Sequence, residues 1–224
     1  MKITQKLIPK PSKRRPGDKI KGVKFIVAHD TGNDNSTALQ NVNYFINSAN
    51  EMSASAHTFI DDKDIIECVP LDEKAWHVRY ITTTDNAMFG VDANDYAIGV
   101  ELCYFSKDKE RSLKAYNNYV EYIAEKTITY NLNPKNKIVG HYTLDPARKT
   151  DPINAFKTFN KTWEQFIADV CTARDVLTNP KPVIEEVKKD EVCIDKAQVE
   201  DVKTRVKNKE VLGLFALIKK LFRL

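Results

Sequence analysis

Two segments of this sequence are apolar on both faces, and they limit the kinds of fold open to the chain. Residues 23–28 read VKFIVA, and residues 96–105 read YAIGVELCYF. Both runs have the length and the β-branched and aromatic content of strands, without the regular polar alternation of a strand that has one solvated face. We therefore predict two buried central strands of a sheet.

Segments with apolar residues at helical spacing lie between the predicted strands. Ser36 or Thr37 is predicted to cap the first helix, in which Leu39, Val42 and Ile46 share one face. Because strands and helices alternate along the chain, we predict an α/β domain that closes near residue 177. The further predicted elements are a hairpin at 57–60 and 65–69, a helix at 112–131, a strand at 137–140 and a helix at 162–177.

Two polar segments are predicted to contain neither helix nor strand. Residues 1–22 are basic and contain three prolines, which favours an extended arm over the surface. This arm either binds an anionic polymer or lipid or carries solubilising charge. Residues 82–95 are rich in Asn and Asp, which favours a long loop bordering a cleft. The basic residues of the arm are Lys10, Lys13, Arg14 and Arg15.

The composition changes after the predicted α/β domain, residues 1–177. Residues 178–191 contain two prolines followed by mixed charges, which is typical of a linker. Residues 192–224 form a tail that is too short for a core of its own. The tail ends in LGLFALIKKLFRL, which we interpret as a helix that docks on its own domain or on another copy of the chain. The alternative is an amphipathic helix that lies on a wall polymer or a membrane surface.

Charge, cysteines and apolar runs narrow the class of protein further. The formal net charge of +4 suits an anionic partner such as a cell-wall polymer, and we expect no nucleic-acid binding. The four cysteines form no C-x-x-C pair, so a zinc finger is not expected. The first residues lack the apolar core of a signal peptide, and no apolar run is long enough for a bilayer. We expect a protein that is made in the cytoplasm with reduced cysteines.

Three candidate metal ligands lie at or near the ends of predicted strands. His29 ends the apolar run at 23–28, His141 follows the strand at 137–140, and Asp151 comes ten residues later. Strand ends at one edge of a sheet can bring distant residues together on rigid supports. Two neutral imidazoles and one carboxylate suit Zn²⁺ and leave a fourth position for water. Taken alone, each histidine would more often be a hydrogen-bonded core or surface residue.

Glu101 is the only charged residue inside the second apolar strand. Alternation places it on one face with Ala97, Gly99 and Cys103, whose small side chains leave space in front of it. A carboxylate among buried apolar residues is unusual and needs an explanation. The alternative, an edge-strand residue in contact with water, is not favoured by the apolar run on either side.

Five short motifs occur along the chain in a fixed order. They are His29-Asp30-Thr31, Ser55-Ala56-His57, Ala75-Trp76-His77, Ile98-Gly99-Val100-Glu101 and Gly140-His141 followed by Arg148-Lys149-Thr150-Asp151-Pro152. Together they resemble the zinc-dependent type 2 N-acetylmuramoyl-L-alanine amidases, which are related to the peptidoglycan recognition proteins. The resemblance covers about residues 20–170. It implies a central mixed β-sheet flanked by helices, and hydrolysis of the amide between N-acetylmuramic acid and L-alanine of the stem peptide of bacterial peptidoglycan.

The resemblance also implies roles for individual residues: Zn²⁺ bound by His29, His141 and Asp151, with Glu101 and Lys149 as catalytic residues. Amide hydrolysis agrees with these residue types. An isolated, buried glutamate should have a raised pKa and can move a proton from water to the leaving amine. Lys149 precedes Asp151 by two residues and can direct its ammonium at the oxyanion, although a solvated surface lysine is equally compatible with the sequence.

The other aromatic residues of the motifs are assigned to the substrate. Trp76 and His77 are predicted to form a wall of the substrate cleft. His57 lies at the start of a strand and is predicted to contact the substrate or to hydrogen-bond a group behind the ligands. None of the three is predicted to bind the metal.

These features favour a lytic amidase of the phage-endolysin kind, which would be stored in the cytoplasm and act on the wall after holin-type release. The alternatives are a cytosolic amidase that recycles muropeptides, a bacterial autolysin and a non-catalytic peptidoglycan-recognition module. Recognition modules commonly lack a zinc ligand, whereas here all three ligand positions and both catalytic positions are filled.

Overall fold

The structure, a computed structural model, describes residues 2–80 and 83–179 of the chain. Its strands are β1 (Ile3–Gln5), β2 (Phe25–Asp30), β3 (Thr58–Ile60), β4 (Ile65–Glu67), β5 (Ala97–Leu102) and β6 (Ile138–Gly140). Its helices are α1 (Ala38–Asn47), α2 (Thr83–Phe89), α3 (Ala93–Tyr96), α4 (Lys109–Thr129), α5 (Pro134–Lys137), α6 (His141–Leu144), α7 (Ile153–Thr158) and α8 (Trp163–Thr178).

The six strands form one sheet in the order β1-β4-β3-β5-β2-β6. β3 and β4 pair antiparallel, as predicted for the hairpin, and every other pair is parallel. The prediction of a mixed sheet in an α/β domain is therefore confirmed. β2 and β5, the two predicted central strands, lie side by side, and all of the side chains of β2 are buried.

The register of these strands decides which residues meet. His29 pairs with Glu101 across β2 and β5, and Ala28 pairs with Gly140 across β2 and β6. Paired residues of parallel strands point to the same face of a sheet, so the side chains of His29 and Glu101 are neighbours. His141 directly follows β6 and therefore starts at the same edge.

The two faces of the sheet are covered differently. One face carries Ile26, Ile98 and Val100, which join a large core with the aromatic residues of α4 and α8. The opposite face carries Phe25 and Val27, which form a smaller cluster with residues of α3 and α6. Glu101 lies on this second face, beyond the apolar cluster, where the carboxyl ends of β2 and β5 leave room for a cleft.

The predicted helices are confirmed, with ends within three residues of the expected ones. Thr37 caps α1: its hydroxyl accepts a hydrogen bond from the backbone N–H of Gln40 at 3.2 Å, and the side chain of Gln40 accepts one from the backbone N–H of Thr37. The predicted long loop at 82–95 is wrong, because this segment contains α2 and α3. The side chain of Asp92 caps α3 by accepting a hydrogen bond from the backbone N–H of Asn94, so a polar residue here begins a helix.

The predicted surface arm at 1–22 is also wrong in its most basic part. β1 pairs with β4, Ile8 is buried in the large core, and Arg14 and Arg15 are buried as well. The guanidinium of Arg15 donates to both carboxylate oxygens of Glu73, at 2.7 and 3.1 Å. These two arginines therefore support the fold instead of offering charge to a polymer.

Arg14 is 1% exposed and has no carboxylate partner among the described residues. Its Nε donates to the backbone carbonyl of Ser48 at 3.0 Å, its Nη1 donates to the carbonyl of Ala54, and its guanidinium carbon lies 4.4 Å from the ring centre of Phe45. Ser48 caps the carboxyl end of α1, where a cation is favourable. Arg14 thus holds the segment between α1 and β3.

Replacing Arg14 by methionine should lower the free energy of unfolding by about 2–4 kcal/mol, because the carbonyls of buried Ser48 and half-buried Ala54 would lose a charged donor. Denaturant unfolding followed by circular dichroism measures the change. Lys13→Met, at an exposed neighbouring position, is the matched control. Equal effects of the two substitutions would contradict the supporting role of Arg14.

Several predictions concern residues that lie outside the described ranges, 2–80 and 83–179. The predicted tail at 192–224 and almost all of the linker at 178–191 lie there, as does Cys193. Cys68, Cys103 and Cys171 are free thiols. No helix in residues 2–80 and 83–179 is long and apolar enough to cross a membrane.

Candidate active site

The three predicted metal ligands converge on one point. Nδ1 of His29 lies 2.9 Å from Oδ2 of Asp151, and Nδ1 of His141 lies 3.0 Å from the same oxygen. One ligand atom from each residue lies within 4.8 Å of the other two. All three residues are buried, with exposures of 2%, 3% and 8% for His29, His141 and Asp151.

Local backbone contacts bring His141 and Asp151 together across nine intervening residues. The backbone N–H of Tyr142 donates to the carbonyl of Asp151 at 3.0 Å, which closes the segment into a loop. The ring of Tyr142 folds back over Gly140, where an added Cβ would lie 2.4 Å from a ring carbon. Gly140 is therefore required for close approach. Asp30, at the end of β2, accepts a hydrogen bond from the N–H of Ala155 and ties α7 to the sheet.

The charges of these ligands suit a divalent metal. Burial lowers the pKa of His29 to about 4, so its imidazole is neutral near pH 7. Burial opposes the ionisation of Asp151, but the imidazoles of His141 and His29, whose Nδ1 atoms lie within 3.0 Å of its Oδ2, outweigh burial and hold its pKa below the usual range. Neutral imidazole and ionised carboxylate are the forms that bind metal ions. The residues present therefore fit a metal ion held by two nitrogens and one oxygen.

Glu101 stands beside this cluster with one carboxylate oxygen, Oε2, that is buried and has no hydrogen-bond partner among the described residues. Burial raises the pKa of Glu101 well above its ordinary value, and the carboxylates of Asp151 and Asp30 raise it further. The ammonium of Lys149 acts in the opposite direction. A carboxyl group in this setting holds a proton more tightly than an exposed one, which suits it to proton transfer.

A cleft of about 360 Å³ opens over the cluster. Glu101 and the three candidate ligands line it, as do the predicted residues Trp76, His77 and Lys149. Arg79 and Arg148 add two further cations to its walls. The remaining lining residues are Asp30, Thr31, Phe45, Ser53, Ala54, Ser55 and Val78.

His57 differs from the other aromatic residues of the motifs. Its Nδ1 accepts a hydrogen bond from the N–H of Gly99 at 3.0 Å, and its Nε2 donates to the carbonyl of Glu73 at 2.9 Å. The side chain is completely buried and does not line the cleft. Its predicted contact with the substrate is therefore not supported, because neither ring nitrogen is available; His57 joins β5 to the segment around residue 73.

Three residues around the site carried no assignment in the sequence. Gly99 lies against His77, where an added Cβ would come within 2.5 Å of the ring. Asn94 accepts hydrogen bonds from the backbone N–H groups of His77 and Val78 through its side-chain oxygen. The hydroxyl of Tyr119 donates to the carbonyls of His29 and Val100 at 3.2 Å each. Of these three, only Gly99 could have been recognised from the sequence, because a glycine inside a buried strand often marks a close approach of another group.

Comparison with known proteins agrees with this geometry. The family model described as N-acetylmuramoyl-L-alanine amidase matches residues 18–154, which is more than half of the chain. The chain belongs to the N-acetylmuramoyl-L-alanine amidase family. The matched region contains all five predicted ligand and catalytic residues of this amidase-family chain.

Individual relatives support the assignment to the amidase family. The N-acetylmuramoyl-L-alanine amidase BlyA of Bacillus subtilis (strain 168) is 34% identical over 150 residues, which cover 63% of this chain and 40% of BlyA. The structure of PlyL is 30% identical with a TM-score of 0.60, covering 76% of this chain and 97% of that one. A mutant endolysin from Bacillus subtilis is 27% identical with a TM-score of 0.60, covering 76% of this chain and 99% of that one.

The match to the curated relatives is partial in one respect. This amidase-family chain spans less than half of the length of the first curated relatives, at 40%, 48% and 37% of each. The solved structures, by contrast, are covered almost completely. The shared part therefore corresponds to the domain that carries the cleft.

Proposed function

We propose that this chain is a zinc-dependent hydrolase that cleaves the amide between N-acetylmuramic acid and L-alanine in bacterial peptidoglycan. The observation that carries the proposal is the convergence of His29, His141 and Asp151 beside the unpartnered carboxylate oxygen of Glu101. Membership of the amidase family supports the choice of substrate. The endolysin among the related structures supports a role in host lysis by a phage, with the enzyme reaching the wall after release from the cytoplasm.

Zinc is the metal that the ligand set favours. His29, His141 and Asp151 would hold it, since two imidazoles and one carboxylate are a common catalytic zinc set that leaves a position open. When bound, zinc supplies Lewis acidity towards the carbonyl and lowers the pKa of water to about 7. The ligands are provided by the rigid end of β2 and by a loop closed through Tyr142, which limits their movement.

The protein's own residues then account for the movement of protons. Glu101 takes a proton from the attacking water as the oxygen of that water bonds to the amide carbon. It gives the proton to the leaving amine of L-alanine as the carbon–nitrogen bond breaks. Its raised pKa makes Glu101 a stronger base towards water than an exposed carboxylate, and the protonated carboxyl is then the acid that serves the leaving amine. Lys149 directs its ammonium at the oxyanion that forms in between.

The walls of the cleft suit a substrate that combines sugar and peptide. Trp76 offers an aromatic surface, and the ammonium of Lys74 lies 4.8 Å from its ring centre. Arg79 and Arg148 place positive charge around the cleft, which suits the carboxylates of a stem peptide. His77 lies deeper, and its ring nitrogens contact His29 and Ala97.

Digestion of purified bacterial walls by the full chain tests this function. We expect free amino termini of L-alanine to appear without new reducing sugar ends, because only the amide is cleaved. A protein that binds walls and releases no amino termini would be a recognition module, and the proposed activity would be rejected. New reducing ends alone would identify a glycosidase and would reject it as well.

A further inference from the structure

His77 links a candidate metal ligand to the backbone of the sheet. Its Nδ1 lies 3.1 Å from Nε2 of His29, and its Nε2 lies 3.2 Å from the carbonyl oxygen of Ala97. His77 is buried, and its own nitrogens make no contact with His141 or Asp151. A chain of hydrogen bonds therefore runs from the carbonyl of Ala97, the first residue of β5, through His77 to the candidate ligand His29.

The direction of each bond in this chain of hydrogen bonds follows from its fixed end. A carbonyl oxygen can only accept, so Nε2 of His77 must carry the proton that it donates to Ala97. A neutral imidazole has one protonated nitrogen, which leaves Nδ1 of His77 with a lone pair. That lone pair accepts from His29, so Nε2 of His29 is protonated and its Nδ1 has the lone pair.

This arrangement has a consequence at Asp151. Nδ1 of His29, now without a proton, faces Oδ2 of Asp151 at 2.9 Å. A lone pair and a carboxylate oxygen at this distance repel each other unless a cation lies against both. The chain of hydrogen bonds therefore prepares His29 to bind a cation through Nδ1, in company with Asp151.

We propose that His77 is a positioning residue that selects the tautomer of His29, so that Nδ1 of His29 is the nitrogen that binds the metal. This inference rests on the proposed metal site, and it adds a specific role to a residue that the sequence assigned to the substrate. Metal-ligating histidines commonly donate their second N–H to a carbonyl or a carboxylate. Here a second histidine stands between the ligand and the carbonyl.

The surroundings of His77 hold its ring in this orientation. Gly99 leaves the space that the ring occupies, since any Cβ there would lie 2.5 Å from Cγ of His77. Asn94 fixes the backbone on both sides, accepting from His77 at 3.0 Å and from Val78 at 3.1 Å and donating to the carbonyl of Val78 at 2.8 Å. His141 has no comparable support, since its Nε2 is buried without a partner among the described residues.

Zinc affinity of substituted full-length chains tests the role of His77. His77→Leu fills a similar volume but cannot accept a hydrogen bond, and we expect zinc to bind about 10–100-fold more weakly in competition with a chromophoric chelator. His77→Gln can donate to Ala97 and accept from His29, so it should recover most of this loss. Tyr122→Phe removes a buried polar group whose hydroxyl contacts Thr58 and Glu67 and no candidate ligand, and it is the control.

Unchanged affinity in His77→Leu would overturn the inference. Equal losses in His77→Leu and His77→Gln would do the same, because they would indicate packing alone. Nitrogen-15 spectra of the histidine rings give a second readout that needs no variant. In the zinc-loaded parent protein we expect protons on Nε2 of both His29 and His77, and a proton on Nδ1 of either would overturn the proposal.

These measurements separate the inference from the proposed function. A parent chain that binds no zinc would reject the zinc-dependent activity. In that same sample, the proton on Nε2 of His77 still tests the inference, because its acceptor, the carbonyl of Ala97, does not depend on a metal. A proton on Nδ1 of His77 in the metal-free chain would show that the hydrogen bonds do not run from His29 through His77 to Ala97, and it would overturn the inference.

Discussion

Replacing Glu101 by glutamine is expected to reduce wall hydrolysis by about 10²–10⁴-fold, the usual range for loss of a general acid–base group. The amide of glutamine has nearly the same shape but cannot take a proton from water. The change should leave zinc binding intact, because Glu101 is not one of the three converging ligands. Release of L-alanine amino termini from purified walls measures the rate, and metal analysis measures the zinc content.

Glu121→Gln is the matched control for this substitution, since Glu121 is an exposed glutamate of α4 far along the chain from the site. It should hydrolyse walls at the parental rate. A Glu101→Gln protein that retains zinc and lyses walls like the parent would remove Glu101 from the mechanism. Loss of zinc in that variant would instead show that Glu101 supports the metal.

Glu101→Gln should also change how the stability of the metal-free protein depends on pH. The pKa of Glu101 is raised in the fold, so the folded state holds this proton more tightly than the unfolded chain. The contribution of Glu101 to stability is therefore greatest below its ordinary pKa of 4.5 and is lost as pH rises towards the folded value. Relative to the parent, Glu101→Gln should therefore gain thermal stability as pH rises above 4.5.

Replacing Asp151 by alanine is expected to remove both the metal and the activity. Asp151 supplies the oxygen on which Nδ1 of His29 and Nδ1 of His141 converge, at 2.9 and 3.0 Å. Without it, two buried imidazoles remain, which is too few ligands for a catalytic zinc site. We expect no stoichiometric zinc after purification and wall hydrolysis at the level of a reaction without enzyme.

Chelation provides the matching experiment on the unchanged protein. Activity should disappear when zinc is removed and return when zinc is added to the parent, but not when it is added to Asp151→Ala. Zinc at 100 times its dissociation constant should also stabilise the parent by about 2.7 kcal/mol in thermal unfolding. Asp175→Asn, at an exposed position of α8, serves as the control. Full activity in a chelated parent protein would contradict a metal-dependent mechanism.

The sheet could be predicted from the sequence because each central strand is recognisable from its own residues. The apolar runs at 23–28 and 96–105 show burial on both faces, and Glu101 stands out as the single charge within the second run. His29 and His141 are recognisable because each follows a strand directly. Their meeting depends on register, in which His29 pairs with Glu101 and Ala28 with Gly140, and local patterns do not contain that information.

The two wrong predictions, the loop at 82–95 and the basic surface arm at 1–22, have a common physical origin. The segment at 82–95 is polar because Asp92 and Asn94 are used inside the protein, as a helix cap and as a support for His77. Arg14 and Arg15 look like surface charges in sequence, but the carbonyls of Ser48 and Ala54 that accept from Arg14 are 34 and 40 residues away, and Glu73 is 58 residues from Arg15. Polar residues that satisfy one another at long range cannot be distinguished from solvated ones by composition.

The position of the two buried arginines bears on where the independently folding unit begins. The match to the family model starts at residue 18, yet Ile8, Arg14 and Arg15 precede it and are buried. A shortened protein that starts at residue 18 would expose the apolar surface beneath Ile8 and leave Glu73 buried without its cation. Anyone transferring this domain to another protein should therefore carry the preceding residues along with it, because the segment that matches the family model contains the candidate site and not the whole of the fold.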